Sequence, residues 1–219
     1  MFISKLTLLT CGNYRIMSDL RQRLLDSARK ILLEEGQRNF SLRKIARETG
    51  VSATSIYLHF ESKDHLIHAL MEESIERLNN KLEESIEGKT DPLEKLNILA
   101  RVYVEFALEN TKEYQIIYAV SSDQMSRYPK EKFRKARRGY EIVTEVLEEG
   151  VRKNLLDEDY PRIAAYTFWA QLHGVMSVVI TKRLDTRLDQ QEFIEQAIEH
   201  IIHGFHVRTA LPASLQEKV

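Results

Sequence analysis

Apolar residues recur at helical spacing along almost the whole chain. The stripe of the first predicted helix consists of Leu20, Leu24, Ala28, Ile31 and Leu32. The same period, with capping and breaking residues at its ends, predicts further helices. They cover residues 42–48, 53–60, 63–86, 92–110, 113–122, 129–154, 161–183 and 190–207. Because no useful stretch alternates between apolar and polar residues, we predict an all-α fold of about nine helices.

The first strong helix signal comes just after Met17. Asp19 and Gln22 have the spacing of a capping box, in which two side chains satisfy free backbone N–H groups of the first turn. We therefore expect residues 1–17 to be a disordered tail, or the result of a mis-called start with Met17 as the natural one. The apolar run "LTLLTC" is too short for a secretory signal and lacks a small-residue cleavage site.

Two short predicted helices surround a Thr-Gly-Val-Ser turn, and both have the same start signals. Ser41 and Ser52 are placed to cap them, and each cap is bracketed by an apolar pair that forms a hydrophobic staple. The pairs are Phe40 with Ile45 and Val51 with Ile56. Ala46 allows the helices to cross closely, and Gly50 takes the turn. This spacing predicts a helix-turn-helix.

The side chains left outside this core are small, polar or basic, and the second helix carries no acid. A helix that enters the major groove of DNA needs short residues in its first turn, and donors that hold phosphates. Lys63 follows the predicted cap Ser62, where an ammonium and free N–H groups can share a phosphate. The candidate DNA contacts are Arg43, Ser52, Ala53, Thr54, Ser55, Tyr57, His59 and Lys63. The alternative is a packing corner with a solvated polar face.

The charge distribution supports a DNA partner for the N-terminal quarter only weakly. Residues 15–65 hold ten Lys/Arg and seven Asp/Glu, a net of +3, whereas residues 66–219 hold 21 and 26, a net of −5. The asymmetry indicates an anionic partner for one end of the chain.

The segment "FSLRKIARETGVSATSIYLHFESKDHLI" closely resembles the DNA-binding module of TetR-family transcriptional regulators, over residues 20–67. The resemblance implies a homodimer with a three-helix head and a six-helix ligand-binding and dimerisation body. It also implies groove and backbone contacts by Thr54, Ser55, Tyr57 and His59, with phosphate anchors at Arg43 and Lys63. The chain departs from the family pattern at Ala53 and Ser55, where many members carry Lys, Arg, Pro or Gly. Which bases are read therefore stays open.

We expect three segments: the tail 1–17, the helix-turn-helix domain 18–66 and the helical body 67–219. No linker rich in Gly, Pro or Ser separates the last two. The helix at 63–86, roughly 36 Å long at 1.5 Å per residue, is long enough to belong to both, so its motion would couple them.

The body contains clustered aromatic residues that predict either a pocket or an ordinary core. "FWAQLHG" is similar to a Trp-x-x-x-His-Gly signature in one subgroup of the family's C-terminal domains. The candidate pocket residues are Tyr103, Phe106, Tyr114, Tyr118, Trp169, His173 and Met176. If their faces converge, they suit a small, largely apolar effector. The alternative is an aromatic core in which His173 is simply hydrogen-bonded.

The last two helices carry more apolar residues than one layer can cover, which predicts a four-helix dimer interface around a twofold axis. The candidate interface residues are Leu172, Val175, Val179, Ile194, Ile198, Ile201, Ile202 and Phe205. The uncharged run 163–180 could also be read as a membrane span. The polar residues within this run, and the amphipathic character of the other predicted helices, argue against a membrane span. They favour a helix that is buried against both its own domain and a partner subunit.

No residue pattern argues for an enzyme, a cofactor or a metal site. His200, His203 and His206 are spaced i, i+3, i+6, but the Glu-x-x-His pairs of a di-iron bundle are absent. With Cys11 as its one cysteine, the chain can form no internal disulfide, which suits the reducing cytoplasm. We predict a ligand-responsive DNA-binding regulator, a repressor acting as a homodimer on a near-palindromic operator. The rival interpretation is a helical binding or interaction protein with a vestigial helix-turn-helix.

Overall fold

A computed structural model describes residues 4–36, 39–118 and 133–205. Within these ranges the chain forms helices joined by short turns, with no strand. The helices are α1 (Ser4–Glu35), α2 (Leu42–Glu48), α3 (Ala53–Tyr57), α4 (Lys63–Ser85), α5 (Pro92–Glu109), α6 (Thr111–Tyr118), α7 (Phe133–Arg152), α8 (Pro161–Ile180) and α9 (Gln190–His203). The predicted all-α class is confirmed.

The first helix begins earlier than predicted. α1 starts at Ser4, so residues 4–17 are helical where the sequence predicted a disordered tail, and Asp19 lies inside the helix rather than at its cap. A capping signal marks a favourable start but does not prevent a helix from extending upstream. Each added residue gains one backbone hydrogen bond, and no proline interrupts residues 4–35.

The helix-turn-helix agrees with the prediction except at the end of α3. This helix stops at Tyr57, and Leu58 to Phe60 form a turn. The backbone N–H of Phe60 donates to the carbonyl of Ile56 at 2.9 Å, and that of His59 to the same carbonyl at 3.0 Å. The predicted helical residues 119–122, 129–132 and 206–207 lie outside the described ranges.

The chain divides into two compact units, and α4 and α6 each contribute to both. The first comprises Met1–Ser74 and Gln115–Pro129, and the second Ile75–Tyr114 and Lys130–Val219. The core of the first unit joins α1, α2, α3 and the first half of α4. Its fully buried side chains include Leu24, Ile45, Ile56, Phe60 and Leu66. These residues hold the helix-turn-helix in shape.

The second unit is built around α8, which packs against α5, α7 and α9. Seven α8 residues are buried there: Ala164, Ala165, Phe168, Trp169, Leu172, Met176 and Val179. By length and composition alone α8 is the one described helix that could cross a membrane. Its contacts with three other helices make it the central helix of this unit.

Gly150 is required by the close approach of the chain just beyond α7. A Cβ at this position would lie 2.6 Å from Cγ and 3.3 Å from Cβ of Leu156, which is itself buried. We expect Gly150→Ala to lower the free energy of unfolding by about 1–3 kcal/mol, the usual range for overpacking. Urea denaturation followed by circular dichroism measures this change.

Gly174 provides the matched control. It also lies inside a helix, but a Cβ added there would have no neighbouring atom within 4 Å. Gly174→Ala should therefore leave stability unchanged or raise it by about 0.5–1 kcal/mol, the helix-propensity difference. Equal effects at the two glycines would contradict the packing argument.

Candidate nucleic-acid interface and ligand region

Two serine caps orient α2 and α3. The hydroxyl of Ser41 accepts a hydrogen bond from the backbone N–H of Lys44 at 3.3 Å. That of Ser52 accepts one from the N–H of Ser55 at 3.1 Å. Gly50, between the two helices, has φ +71°, a left-handed conformation that glycine adopts at little cost. Both predicted caps and the predicted turn residue therefore act as the sequence indicated.

The exposed side of α3 is a continuous face, which we call the α3 face. It comprises Ala53, Thr54, Tyr57 and Leu58, all of which are exposed. At 100° per residue these four positions span an arc of about 140°. Ile56, on the opposite side, is fully buried. A short helix locked by one apolar residue thus presents two small or polar residues and two large ones outward.

Three other predicted contacts belong to the base of this face rather than to the face itself. The hydroxyl of Ser55 lies 2.8 Å from that of Ser52, so the two serines pair within the cap. Ser55 and His59 are both only partly exposed. We infer that Ser52 and Ser55 first serve to start the helix, because their hydroxyls are engaged there.

The candidate phosphate anchors lie on α2 and α4, the helices before and after α3. Arg43 on α2 is exposed, and Lys63 begins α4 with its ammonium 5.6 Å from the ring centre of buried Phe40. The hydroxyl of Ser62 caps α4 by accepting from the N–H of His65 at 3.0 Å. Ring contact of this kind restricts a lysine side chain without removing its charge.

Leu58 was missed by sequence reasoning. Leucine is usually assigned to a core, and Leu58 follows a helix whose inward residue, Ile56, is correctly predicted. It nevertheless has 75% of its surface exposed. Its angular position around the helix axis could have identified it from the sequence, since Leu58 lies on the arc that also holds Ala53 and Thr54.

In the second unit, four candidate pocket residues form an aromatic cluster. The Tyr103 ring centre lies 4.8 Å from that of Trp169 and 6.2 Å from that of Tyr114. The Tyr114 hydroxyl lies 2.6 Å from Nδ1 of His173. Burial lowers the pKa of His173 and raises the pKa of Tyr114. Both groups are therefore neutral at pH 7, and they form a polar pair in largely apolar surroundings.

The remaining pocket candidates are placed differently. Phe106 and Met176 are buried in the core of the second unit. Tyr118, at the end of α6, is 40% exposed and belongs to the first unit. The clustered rings fit both alternatives left open by the sequence, a ligand-contacting aromatic wall and an ordinary aromatic core. The pocket stays a prediction.

A set of polar contacts attaches the second half of α4 to α7. The Asn79 side chain, 7% exposed, donates to the backbone carbonyl of Lys135 at 3.1 Å. Arg138 donates to the carboxylates of Glu83 at 2.5 Å and Glu145 at 2.6 Å. One residue further on, the Gly139 carbonyl accepts from the Trp169 indole N–H at 3.1 Å. We call this set the α4–α7–α8 junction.

The predicted dimer residues are mostly used by the chain's own core. Leu172, Val179, Ile194, Ile198, Ile201 and Ile202 are all at most 7% exposed in the single chain, and Val175 and Phe205 are partly buried. α5 packs against both α8 and α9 in this core, and a dimer contact through these residues stays a prediction. Along α8, the exposed apolar side chains are instead Ile163 and Tyr166.

No group of three or more His, Cys, Asp or Glu side chains in the described part of the chain is arranged to hold a metal ion. Of the histidine series noted in the sequence, His200 and His203 are exposed on α9. His206 lies outside the described residues.

Family models match both units. Residues 24–70 match the model "Bacterial regulatory proteins, tetR family", and residues 96–201 match "Tetracyclin repressor-like, C-terminal domain". The chain belongs to the TetR family. It is therefore a DNA-binding transcriptional regulator of the ligand-responsive type, and the resemblance noted in the sequence is confirmed. The family is regulatory rather than enzymatic.

Individual TetR-family relatives are distant but cover most of the chain. The fatty acid metabolism regulator protein of Bacillus subtilis is 22% identical over 84% of this chain and 94% of its own. The transcriptional repressor KstR2 of Mycolicibacterium smegmatis is 26% identical over 68% and 73%. The crystal structure of AibR with isovaleryl coenzyme A and operator DNA has a TM-score of 0.63 at 15% identity. It covers 82% of this chain and 96% of its own, and shares the fold.

Proposed function

We propose that this protein represses transcription as a homodimer on a near-palindromic operator and leaves it when a largely apolar acyl compound binds. The observation that carries the proposal is the rigid α3 face in a TetR-family chain. Two copies of α3 would occupy successive major grooves of the operator. Their separation must then be roughly 34–36 Å, or a multiple of it.

The dimer of this proposal would use the outer sides of α8 and α9. Ile163 and Tyr166 are 63% and 45% exposed on α8. Ala170 continues the same side as a small residue, which allows a second helix to approach. The predicted residues of α9 would contribute mainly by shaping this surface from within, because they are buried in their own chain.

The effector class is supported by the relatives and by the aromatic cluster. One relative is named for fatty acid metabolism, and AibR is described with an acyl coenzyme A. In this chain, a neutral Tyr114–His173 pair beside Tyr103 and Trp169 would offer one polar contact to a carbonyl in an otherwise apolar wall. Pockets for apolar ligands commonly combine these features.

The α4–α7–α8 junction would carry the signal. Trp169 contacts Tyr103 in the aromatic cluster and donates to Gly139 on α7. Asn79 on α4 is hydrogen-bonded to the same end of α7. A ligand that displaces Trp169 would therefore shift α4, which runs unbroken from Lys63 to Ser85. A ligand can shift such an equilibrium only by its difference in affinity for the two states.

In domain terms, we propose a DNA-binding domain at 18–66 and an effector and dimerisation domain at 67–219, with α4 common to both. The role requires no catalysis, metal or cofactor. A regulator that binds chromosomal DNA works in the cytoplasm of a bacterium.

Selection of genomic fragments by the purified protein tests the proposal. We expect enrichment of a near-palindromic site, and fluorescence anisotropy with that site should give a dimer–DNA complex. Isovaleryl coenzyme A and palmitoyl coenzyme A are suitable first probes, and at least one should weaken binding by about 5–150-fold, the common range of allosteric coupling. The alternative of an interaction protein with a vestigial helix-turn-helix predicts no enriched DNA.

Replacing Lys63 should weaken DNA binding without changing sequence preference. Lys63→Ala removes one phosphate contact, so affinity for operator and scrambled DNA should fall alike. The slope of log affinity against log salt concentration should become less steep by about one, because one fewer counterion is released on binding. Anisotropy titrations at several salt concentrations measure both effects.

Lys112→Ala is the matched control, since Lys112 is an exposed lysine of the second unit. It should leave the salt slope unchanged. If Lys63→Ala also left the slope unchanged, or altered base preference, Lys63 would not be a phosphate anchor.

A further inference from the structure

Leu58 stands out among the exposed apolar residues of the described chain. Its exposed fraction, 75%, is larger than the 67% of Tyr160 and the 63% of Ile163. It also lies on the α3 face, beside Thr54 and Tyr57, rather than on the second unit. Scattered exposed leucines need no explanation, but this one occupies the surface that would meet DNA.

The backbone holds Leu58 in a fixed place. Its N–H donates to the carbonyl of Ser55 at 3.3 Å. Ile56 and Phe60, on either side of it in sequence, are both fully buried. The side chain therefore projects from a turn that is anchored before and after it. The backbone at Leu58 therefore needs little further ordering on binding, which reduces the entropic cost of a contact.

We propose that Leu58 reads thymine in the operator through its 5-methyl group. The edge of thymine carries the one methyl group displayed by base pairs in the major groove, and apolar side chains recognise it. Thr54 and Tyr57, on the same face, have hydroxyl groups that can form hydrogen bonds with DNA. Leu58 has only apolar atoms to offer, and it reaches further from the backbone than Ala53. The inference rests on the proposed binding of DNA through the α3 face.

Replacing each operator thymine in turn by deoxyuridine removes only the methyl group and tests this directly. With the wild-type protein, one thymine in each half-site should be sensitive. Substitution there should weaken binding about fourfold, the value of one buried methyl-sized group. Leu58→Ala should bind the unmodified operator more weakly and lose the sensitivity at that thymine alone. Leu58→Met, which keeps an apolar reach, should retain it.

Leu188→Ala is the matched control, because Leu188 is 55% exposed on the second unit. It should show the wild-type deoxyuridine profile. Circular dichroism should show Leu58→Ala to be folded, since the side chain is exposed.

Two results would overturn the inference. Leu58→Ala could keep the wild-type profile, or it could weaken operator and scrambled DNA equally, as a sugar contact would. Wild-type protein that binds no operator at all is a separate result, because it removes the proposed function as well.

Discussion

Phe60→Ala should lower the free energy of unfolding of the first unit by about 3–5 kcal/mol, the range for deleting a buried phenylalanine, and should abolish operator binding. Phe60 is fully buried, and its backbone N–H closes the turn after α3 through the carbonyl of Ile56. Arg21 also lies over its ring, 5.4 Å from the centre. Loss of the ring therefore removes a packing contact shared by α1 and the α3 turn. Urea denaturation and anisotropy measure the two effects.

Tyr57→Ala separates stability from recognition. Tyr57 is three residues before Phe60 but is 52% exposed on the α3 face. Its replacement should change the free energy of unfolding by no more than about 0.5 kcal/mol, as for most surface positions, while operator affinity falls. If the Phe60→Ala protein bound the operator normally, DNA binding by the α3 face would not depend on the buried Phe60 ring.

Trp169→Ala should lower the free energy of unfolding of the second unit by a similar amount, about 3–5 kcal/mol, which urea denaturation measures. Trp169 is 7% exposed, and its ring centre lies 4.8 Å from that of Tyr103 and 5.5 Å from that of Phe168. Its indole N–H also donates to the Gly139 carbonyl on α7. The substitution thus removes packing and a helix–helix hydrogen bond together.

Trp169→Phe tests the signalling role with less damage. It keeps an aromatic ring but removes the hydrogen bond from the indole N–H to the Gly139 carbonyl, at a cost of about 0.5–1.5 kcal/mol. We expect this protein to bind operator but to release it less completely when the acyl coenzyme A probe is added. The measurement is operator affinity with and without probe. If the probe released operator from this protein as completely as from the wild type, the hydrogen bond from Trp169 to Gly139 would not couple effector binding to DNA release.

Local signals made the helix-turn-helix predictable. Ser41, Ser52 and Gly50 have roles that depend on a few neighbouring residues, so their spacing specifies the caps and the turn. The long α4 follows in the same way from its period, and ends within one residue of its predicted end. The fold class needed no long-range information.

Properties that depend on distant neighbours were not predictable. The apolar residues Leu172 and Ile198 are predicted to lie in a dimer interface, because the sequence does not tell which apolar residues the chain's own core buries. Both are buried in the single chain, and a dimer contact through them stays a prediction. Leu58 was overlooked because a leucine is usually assigned to the core, and only its position on the helix shows that it is exposed. The α4–α7–α8 junction depends on two backbone carbonyls and an asparagine, which carry no sequence pattern.

Recognition of DNA by the α3 face is tested by equilibrium binding to the selected operator and to a scrambled fragment of equal length, over a series of salt concentrations. We expect operator binding at least about 10³-fold tighter than binding to scrambled DNA. We also expect that log affinity for both falls linearly with log salt concentration. Equal affinity for the two fragments, or operator affinity independent of salt, would contradict this recognition.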